Sequence, residues 1–395
     1  MEGLQNKAAI VGIGHTEYSK ESGRSELRLA LEAIKAAIAD AGIDRKQIDG
    51  LVRYGASQSG ASEAWIGTNL GLDDVAYWGA IDFGGSASAA MIGHAAAAVS
   101  SGLATTVVCY RSLNGRSGLK PGTSDTYDRM LRGADPSLDN FLLPYGMTAP
   151  TEMYALIARR LMHEYGMTSQ HLAEVAVTCR ENANHYPAAQ MHDRPMTIDD
   201  HQASPMVSDP LRMFDCCLQT DGAVAVIVTS TERARDLRQK PAIIAGAVQA
   251  SMPDAQGPLF SILGRQDITE ASAGNASRAL WRQTGLAPAD IDVAQLYDCF
   301  TVTVLMQLED YGFCGKGESG AFVAEGNIRH GGSIPINTDG GNLSCAYMHG
   351  VNHVLEGTRQ IRGTSTRQVP DVGACLVTAG TPVPTSALVL TSEPA

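Results

Sequence analysis

The side chains able to do chemistry in this 395-residue chain follow no metal, disulfide or dinucleotide-binding pattern. Its eight cysteines, Cys109, Cys179, Cys216, Cys217, Cys299, Cys314, Cys345 and Cys375, form no C-x-x-C pair and lie inside apolar runs, which reads as reduced thiols. Cys299, Cys345 and Cys375 are read as small apolar residues lining a pocket. His185, His192 and His201 are dispersed over a polar, Pro-containing stretch, so a surface role is expected and no metal site. Gly12-x-Gly14 lacks the third glycine of a dinucleotide fingerprint, and NAD is not expected. Two mixed clusters remain, Tyr297-Asp298-Cys299-Phe300 and Ser344-Cys345-Ala346-Tyr347-Met348-His349-Gly350, with His353 just beyond. A phenol titrates near ~10 and an imidazole near ~6.5 when unperturbed, so acid-base and nucleophilic chemistry both stay open at this level.

The elements that must position these clusters alternate. Ala8 to Ile13 reads as a buried strand running into a glycine turn, Leu27 to Ile38 recurs at helical spacing up to a cap at Gly42, and Ile48 to Tyr54 resumes as a strand. Asp82-Phe83-Gly84-Gly85-Ser86 opens an Ala-rich run to Ser101 that is apolar on all sides, the mark of a buried helix, and Thr105 to Tyr110 follows as a strand. The order returns from Ala242 onward, with Gly285-Leu286 and Ile291-Asp292 standing 243 positions beyond Gly42-Ile43 and Ile48-Asp49 (285 − 42 = 243). That register carries Tyr54 onto Tyr297. Asp339-Gly340-Gly341 is expected to open a second buried helix, and Gly373 to Thr378 a strand. The reading is a duplicated α/β unit, with halves at 1–240 and 241–395 and an inserted region at about 115–210.

Composition narrows the partners. A net charge of −12, without any Lys/Arg-rich block, argues against a nucleic-acid or anionic-membrane surface. The first residues include Glu2 and Lys7 and give no signal-peptide pattern, and no apolar run reaches the ~18 residues of a membrane span, so a cytoplasmic protein is expected.

The strand Asp221-Gly222-Ala223 to Val228, the stretch Ile336-Asn337-Thr338-Asp339-Gly340-Gly341-Asn342 through Gly350, and Tyr297-Asp298-Cys299-Phe300 make the chain resemble thiolases of the sterol-carrier-protein or lipid-transfer type. They correspond to that family's DGA strand, its N-x-x-GG-x-x-x-x-GHP-x-G loop and its H-D-C-F strand end, in the same order over nearly the whole chain. The resemblance implies the thiolase fold, duplicated αβ units in a five-layered αβαβα arrangement. The departures carry the function. Gly85 stands where the family has its nucleophilic cysteine, Tyr297 where H-D-C-F has its histidine, and Tyr347 where GHP has its histidine. An acyl-enzyme needs the lost thiolate. Two phenols instead suit passing one proton between a substrate hydroxyl and an enolate carbon.

This pattern resembles the thiolase-like aldolases of steroid side-chain degradation. It implies retro-aldol cleavage of a β-hydroxy acyl-CoA, of the 17-hydroxy steroid type, to a ketone or aldehyde and a short acyl-CoA such as propionyl-CoA. Tyr297 and Tyr347 would be catalytic. Gly85, Ser86, Asp298, Gly341, Asn342 and His349 would support them, with backbone N–H groups at Gly84 to Ser86 and Gly340 to Asn342 as oxyanion donors. The family implies no cofactor beyond the CoA of the substrate, a homodimer, and a DUF35-type partner with an oligonucleotide-binding-like fold and any zinc, giving a heterotetramer. Two alternatives stand beside this: a thiolase or acyltransferase using another cysteine, and a non-catalytic subunit of the same fold.

Overall fold

The computed structural model describes residues 3–55, 60–82, 84–118, 143–147, 149–252, 263, 265–380 and 384–395. Of the inserted region, 119–142 and 148 lie outside the described residues, as does Phe83.

Nine strands form one order, β3-β2-β4-β7-β1-β8-β11-β10-β9. They are β1 (Ala8–His15), β2 (Gly50–Tyr54), β3 (Tyr77–Ile81), β4 (Thr106–Asn114), β7 (Asp221–Ser230), β8 (Ala242–Ala250), β9 (Val293–Gln295), β10 (Ala374–Thr378) and β11 (Thr385–Thr391), while β5 (Met206–Ser208) and β6 (Leu211–Arg212) make a separate hairpin. The order is symmetric about β1 and β8. On one side β1 runs antiparallel to β7, β7 antiparallel to β4, and β4 parallel to β2; on the other β8 runs antiparallel to β11, β11 antiparallel to β10, and β10 parallel to β9. Among the described residues the strands of the two half-sheets pair through Ala9↔Ile243 and Ile10↔Ala242. Where β3 flanks β2, a single parallel bridge, Ala294↔Ile336, flanks β9.

The longer helices are α1 (Glu26–Ala41), α2 (Glu63–Leu70), α3 (Ala87–Ser100), α4 (Pro150–Tyr165), α5 (Ser169–Asn184), α6 (Ser272–Thr284), α7 (Thr301–Asp310) and α8 (Val351–Arg362). Period-2 alternation along the strands assigns them to layers. In β7, Ala223, Ala225 and Ile227 pack with Leu29, Ala33 and Ile34 of α1 on one face. Val224, Val226 and Val228 pack on the other with Met91 and Ala95 of α3 and Val354 and Leu355 of α8. Leu376 and Val389 face a third core with α6 and α7. Three cores separated by two half-sheets make five layers, with α3 and α8 in the middle. A middle helix touches sheet on both sides, which is why α3 is apolar all round and built mostly of alanine.

Two local expectations change. The strand does not turn at Gly12 but continues to His15. A Cβ on Gly14 would overlap the Ala33 carbonyl and the Ala37 N–H, and one on Gly12 would sit 2.8 Å from the Ala41 Cβ, so these glycines let α1 lie directly on β1. The second buried helix begins at Val351, not at Gly340. Gly340 (φ 103°) and Gly341 (φ 60°) instead start a five-residue π-helical turn, Gly341–Cys345, and the chain after it carries Tyr347 before Gly350 admits it to α8.

Gly14→Ala should therefore destabilise the fold by about 1–3 kcal/mol or more, because overpacking against backbone atoms has no soft neighbour to yield. In α2, a Cβ on Gly67 meets nothing closer than 3.9 Å, and Gly67→Ala should stabilise by about 0.4–1 kcal/mol. Thermal or urea unfolding of both variants checks the contrast.

Candidate active site

Tyr297 lies two residues past β9, where the chain has left the sheet ladder. Its backbone is held by side chains instead: its N–H donates to Thr378 Oγ1 (2.9 Å), and its carbonyl accepts from Gln307 Nε2 (2.7 Å) and Thr303 Oγ1 (2.9 Å). Thr378 in turn donates to Gln307 Oε1, so the end of β10 and helix α7 lock together around this residue. Both backbone polar groups of Tyr297 are thereby satisfied off the ladder.

The Tyr297 ring points at Gly85. A Cβ on Gly85 would overlap the Tyr297 hydroxyl and sit 2.5 Å from Cζ and 2.9 Å from Cε1. On the other flank a Cβ on Gly350 would come 2.9 Å from Tyr297 Cδ2. The phenol thus occupies the space a side chain at position 85 would need. Ser386 of β11 pins the first turn of α3 by donating to the Ser86 carbonyl and accepting from Ala90 N–H, and Gly380 N–H donates to the Gly85 carbonyl (3.0 Å). The hydroxyl of Tyr297 therefore sits at the positive, N-terminal end of a buried helix.

Tyr347 is brought to it by the loop after the π turn. Asp298 holds that turn: its Oδ1 accepts from Asn342 N–H (2.9 Å), its Oδ2 from Leu343 N–H (3.2 Å), and His353 Nε2 lies 3.0 Å from Oδ1. Tyr347 N–H donates to Thr220 Oγ1 (2.9 Å), while Arg180 Nε donates to Ser344 Oγ (3.0 Å) and Gln190 N–H to the Cys345 carbonyl (2.9 Å). The inserted region is thus part of the mount. The two phenolic oxygens end 3.2 Å apart.

Burial, and for Tyr297 the neighbouring Tyr347, pushes both phenols well above the ordinary tyrosine value, so both are protonated at neutral pH. His349, in left-handed backbone (φ 54°), packs at a tilt against Tyr347 with ring centroids 4.4 Å apart. Burial, then the charge of Arg111, drives its pKa well below the usual imidazole range and keeps it neutral.

Several expected roles change. The backbone N–H groups of Gly340, Gly341 and Asn342 are not open to a thioester oxygen, because they donate to the Asn337 carbonyl (2.8 Å), Asp339 Oδ1 (2.9 Å) and Asp298 Oδ1 (2.9 Å). His201 is not a surface residue: it is fully buried against Asp215 (2.9 Å), which also accepts from Thr301 of α7. Among the described residues no group of side chains could hold a metal ion. Burial also raises all eight thiols, Cys216, Cys299 and Cys314 to about 12 and the others further, so none is an activated thiolate. Sequence reading missed Thr378, Thr303 and Gln307, which carry no motif and act only through Tyr297. It also missed Arg111, which directly follows the apolar run Val107–Tyr110 of β4.

Residues 259–392 match the family model described as Thiolase C-terminal domain-like. The chain is 46% identical over 394 residues to a steroid side-chain-cleaving aldolase of Thermomonospora curvata, covering 100% of both chains. It is 47% identical over 389 residues to the 17-hydroxy-3-oxo-4-pregnene-20-carboxyl-CoA lyase of Mycobacterium tuberculosis, covering 98% of this chain and 100% of that one. The chain belongs to the thiolase-fold, steroid side-chain-cleaving aldolase family. The solved structure titled Ltp2-ChsH2(DUF35) aldolase is 45% identical and superposes with a TM-score of 0.91, covering 99% of each chain. In this aldolase no helix of the described residues is long and apolar enough to cross a membrane.

The overlap of Gly85 with Tyr297 gives a double-mutant prediction. Gly85→Ala should destabilise the aldolase by about 1–3 kcal/mol. In a Tyr297→Ala background, where the phenol is gone, the same change should cost little, and the coupling is read from denaturant unfolding of all four proteins.

Proposed function

We propose that this chain catalyses retro-aldol cleavage of a β-hydroxy acyl-CoA whose β-carbon belongs to a steroid ring, of the 17-hydroxy type, giving a ketone and a short acyl-CoA such as propionyl-CoA. The single observation that carries the mechanism is the pair of phenols, Tyr297 buried and Tyr347 partly buried, with hydroxyls 3.2 Å apart and the first filling the place of a side chain at position 85. The substrate class comes from the relatives, whose names specify steroid side-chain cleavage and a 17-hydroxy steroid carboxyl-CoA.

Cleavage moves one proton. The β-hydroxyl gives its proton to one tyrosine oxygen as its O–H electron pair becomes the new C=O bond. The Cα–Cβ pair passes into the thioester, which becomes an enolate. That tyrosine's own proton passes across the 3.2 Å contact to the second, and the second protonates Cα. Both phenols end as they began, so the pair works without a standing phenolate, as suits groups that burial keeps protonated. The reaction written this way uses no metal or redox cofactor from this chain. A thiolase reaction through another cysteine is disfavoured by the raised pKa of every thiol.

For assembly, the reading is a cytoplasmic homodimer joined at β3 and carrying two DUF35-type partner chains, with any zinc in the partner. Among the described residues β3 pairs only with β2, and Trp78 on it is 71% exposed, so a hydrophobic side chain stands at the sheet edge. The relative titled with a DUF35 component supports the partner.

Incubation with a 17-hydroxy steroid carboxyl-CoA should yield the ketone and a shortened acyl-CoA by mass spectrometry. Tyr297→Phe and Tyr347→Phe should each lower the rate by at least ~10²-fold with the fold intact, and a variant turning over like wild type would remove that tyrosine from the proton path. Trp78→Asp should convert the dimer to monomers in size-exclusion chromatography with light scattering; a chain already monomeric, or still dimeric after the change, refutes the β3 contact.

A further inference from the structure

Arg111, at the inward end of β4, is the bulkiest of the fully buried side chains, 1% exposed. Its Nε and Nη1 find no hydrogen-bond partner among the described residues, and no carboxylate pairs with it there. The nearest acidic influence is Glu26, whose two carboxylate oxygens are taken by the N–H groups of Asn114 and Gly60. A guanidinium stripped of water with no carboxylate paired to it among the described residues is costly, and this one lies against the tyrosine cluster. It lies 4.8 Å over the ring of Tyr54, whose ring is 5.2 Å from that of His349, which packs in turn at a tilt against Tyr347. His349 Nδ1 is also buried without a partner.

The expected oxyanion donors at Gly340 to Asn342 are committed elsewhere, which leaves those at Gly84 to Ser86, at the start of α3, to meet developing charge on one side only. The groups facing Tyr347 are Tyr297 and Cys299 on the chain after β9, Cys217 before β7, Tyr54 on β2 and neutral His349. None of these is cationic. Arg53 on β2 adds to the positive field at Arg111 but is itself paired with Glu63. We propose that Arg111 is a positioning residue for the reaction, its buried guanidinium supplying the positive charge against which the tyrosine pair and the bound thioester carry their transient negative charge. The proposal builds on the cleavage reaction proposed above. Tyr54 and His349 lie between Arg111 and Tyr347 as two tilted rings, and a neutral imidazole there leaves the field of Arg111 undiminished.

The test uses the chain with its partner, in wild type, Arg111→Met and Arg111→Lys. Arg111→Met should lower kcat by about 10²-fold with KM nearly unchanged, and Arg111→Lys should recover most of the loss. Independently of turnover, tyrosinate absorbance at high pH, compared with Tyr347→Phe to isolate the pair, should show ionisation moved to higher pH in Arg111→Met and back toward wild type in Arg111→Lys. A kcat loss with unmoved tyrosine ionisation and no rescue by lysine would make Arg111 merely structural and overturn the proposal, as would wild-type kinetics in Arg111→Met. If Arg111→Met fails to fold, the lysine variant alone decides through the same two readouts. Moved ionisation in a protein that cleaves no β-hydroxy acyl-CoA would leave the role of Arg111 standing and sink the proposed reaction.

Discussion

Two side chains cannot share one volume, and the site is organised around that exclusion. The Tyr297 hydroxyl stands where a Cβ on Gly85 would be, with Gly350 giving room on the opposite flank. Any side chain at position 85 would expel the phenol, and with the phenol in place no nucleophile can be mounted there. The cysteine that the thiolase resemblance puts at position 85 and a tyrosine at 297 thus exclude each other. The hydroxyl stands at the N-terminus of α3, which Ser386 and Gly380 hold against the second half-sheet.

Everything else near the site serves to keep the second phenol 3.2 Å from the first. Asp298 joins the two, since it follows Tyr297 in the chain and its carboxylate grips the π turn that leads to Tyr347. Removing that carboxylate would release buried N–H groups at Asn342 and Leu343 together, which makes Asp298 a structural acid rather than a proton donor. The inserted region adds Arg180 and Gln190 to the same loop, so a segment outside the duplicated plan is needed for the geometry of the site.

The layers were legible because the repeated order of elements, the all-apolar alanine helix and the motifs of the resemblance agree. The two tyrosines stood out because they occupy named positions in ordered motifs, and the fold brings their hydroxyls to 3.2 Å. The sequence misled at Gly12 and Gly14, where glycine served close packing of α1 rather than a turn, since a glycine's neighbours are invisible in one dimension. It misled at Gly340 to Asn342 for a related reason: a helix-opening motif reads as free N–H groups, and only the fold shows that Asp298, Asp339 and Asn337 already accept from them. His201 looked exposed because its neighbours in sequence are polar, yet Asp215 buries it. Helix α7 went unread although its Thr303 and Gln307 fix Tyr297, because its apolar and polar residues are buried alike and leave no amphipathic stripe.

The central claim is that carbon-carbon cleavage here proceeds through two phenols with no covalent enzyme intermediate. Intact-protein mass spectrometry after rapid mixing with the β-hydroxy acyl-CoA, quenched across the first turnover, tests it directly. The account predicts an unmodified chain at every time while ketone and shortened acyl-CoA accumulate. An acyl adduct on Cys299, Cys345, Cys375 or any other cysteine, formed and lost at the rate of turnover, would contradict it.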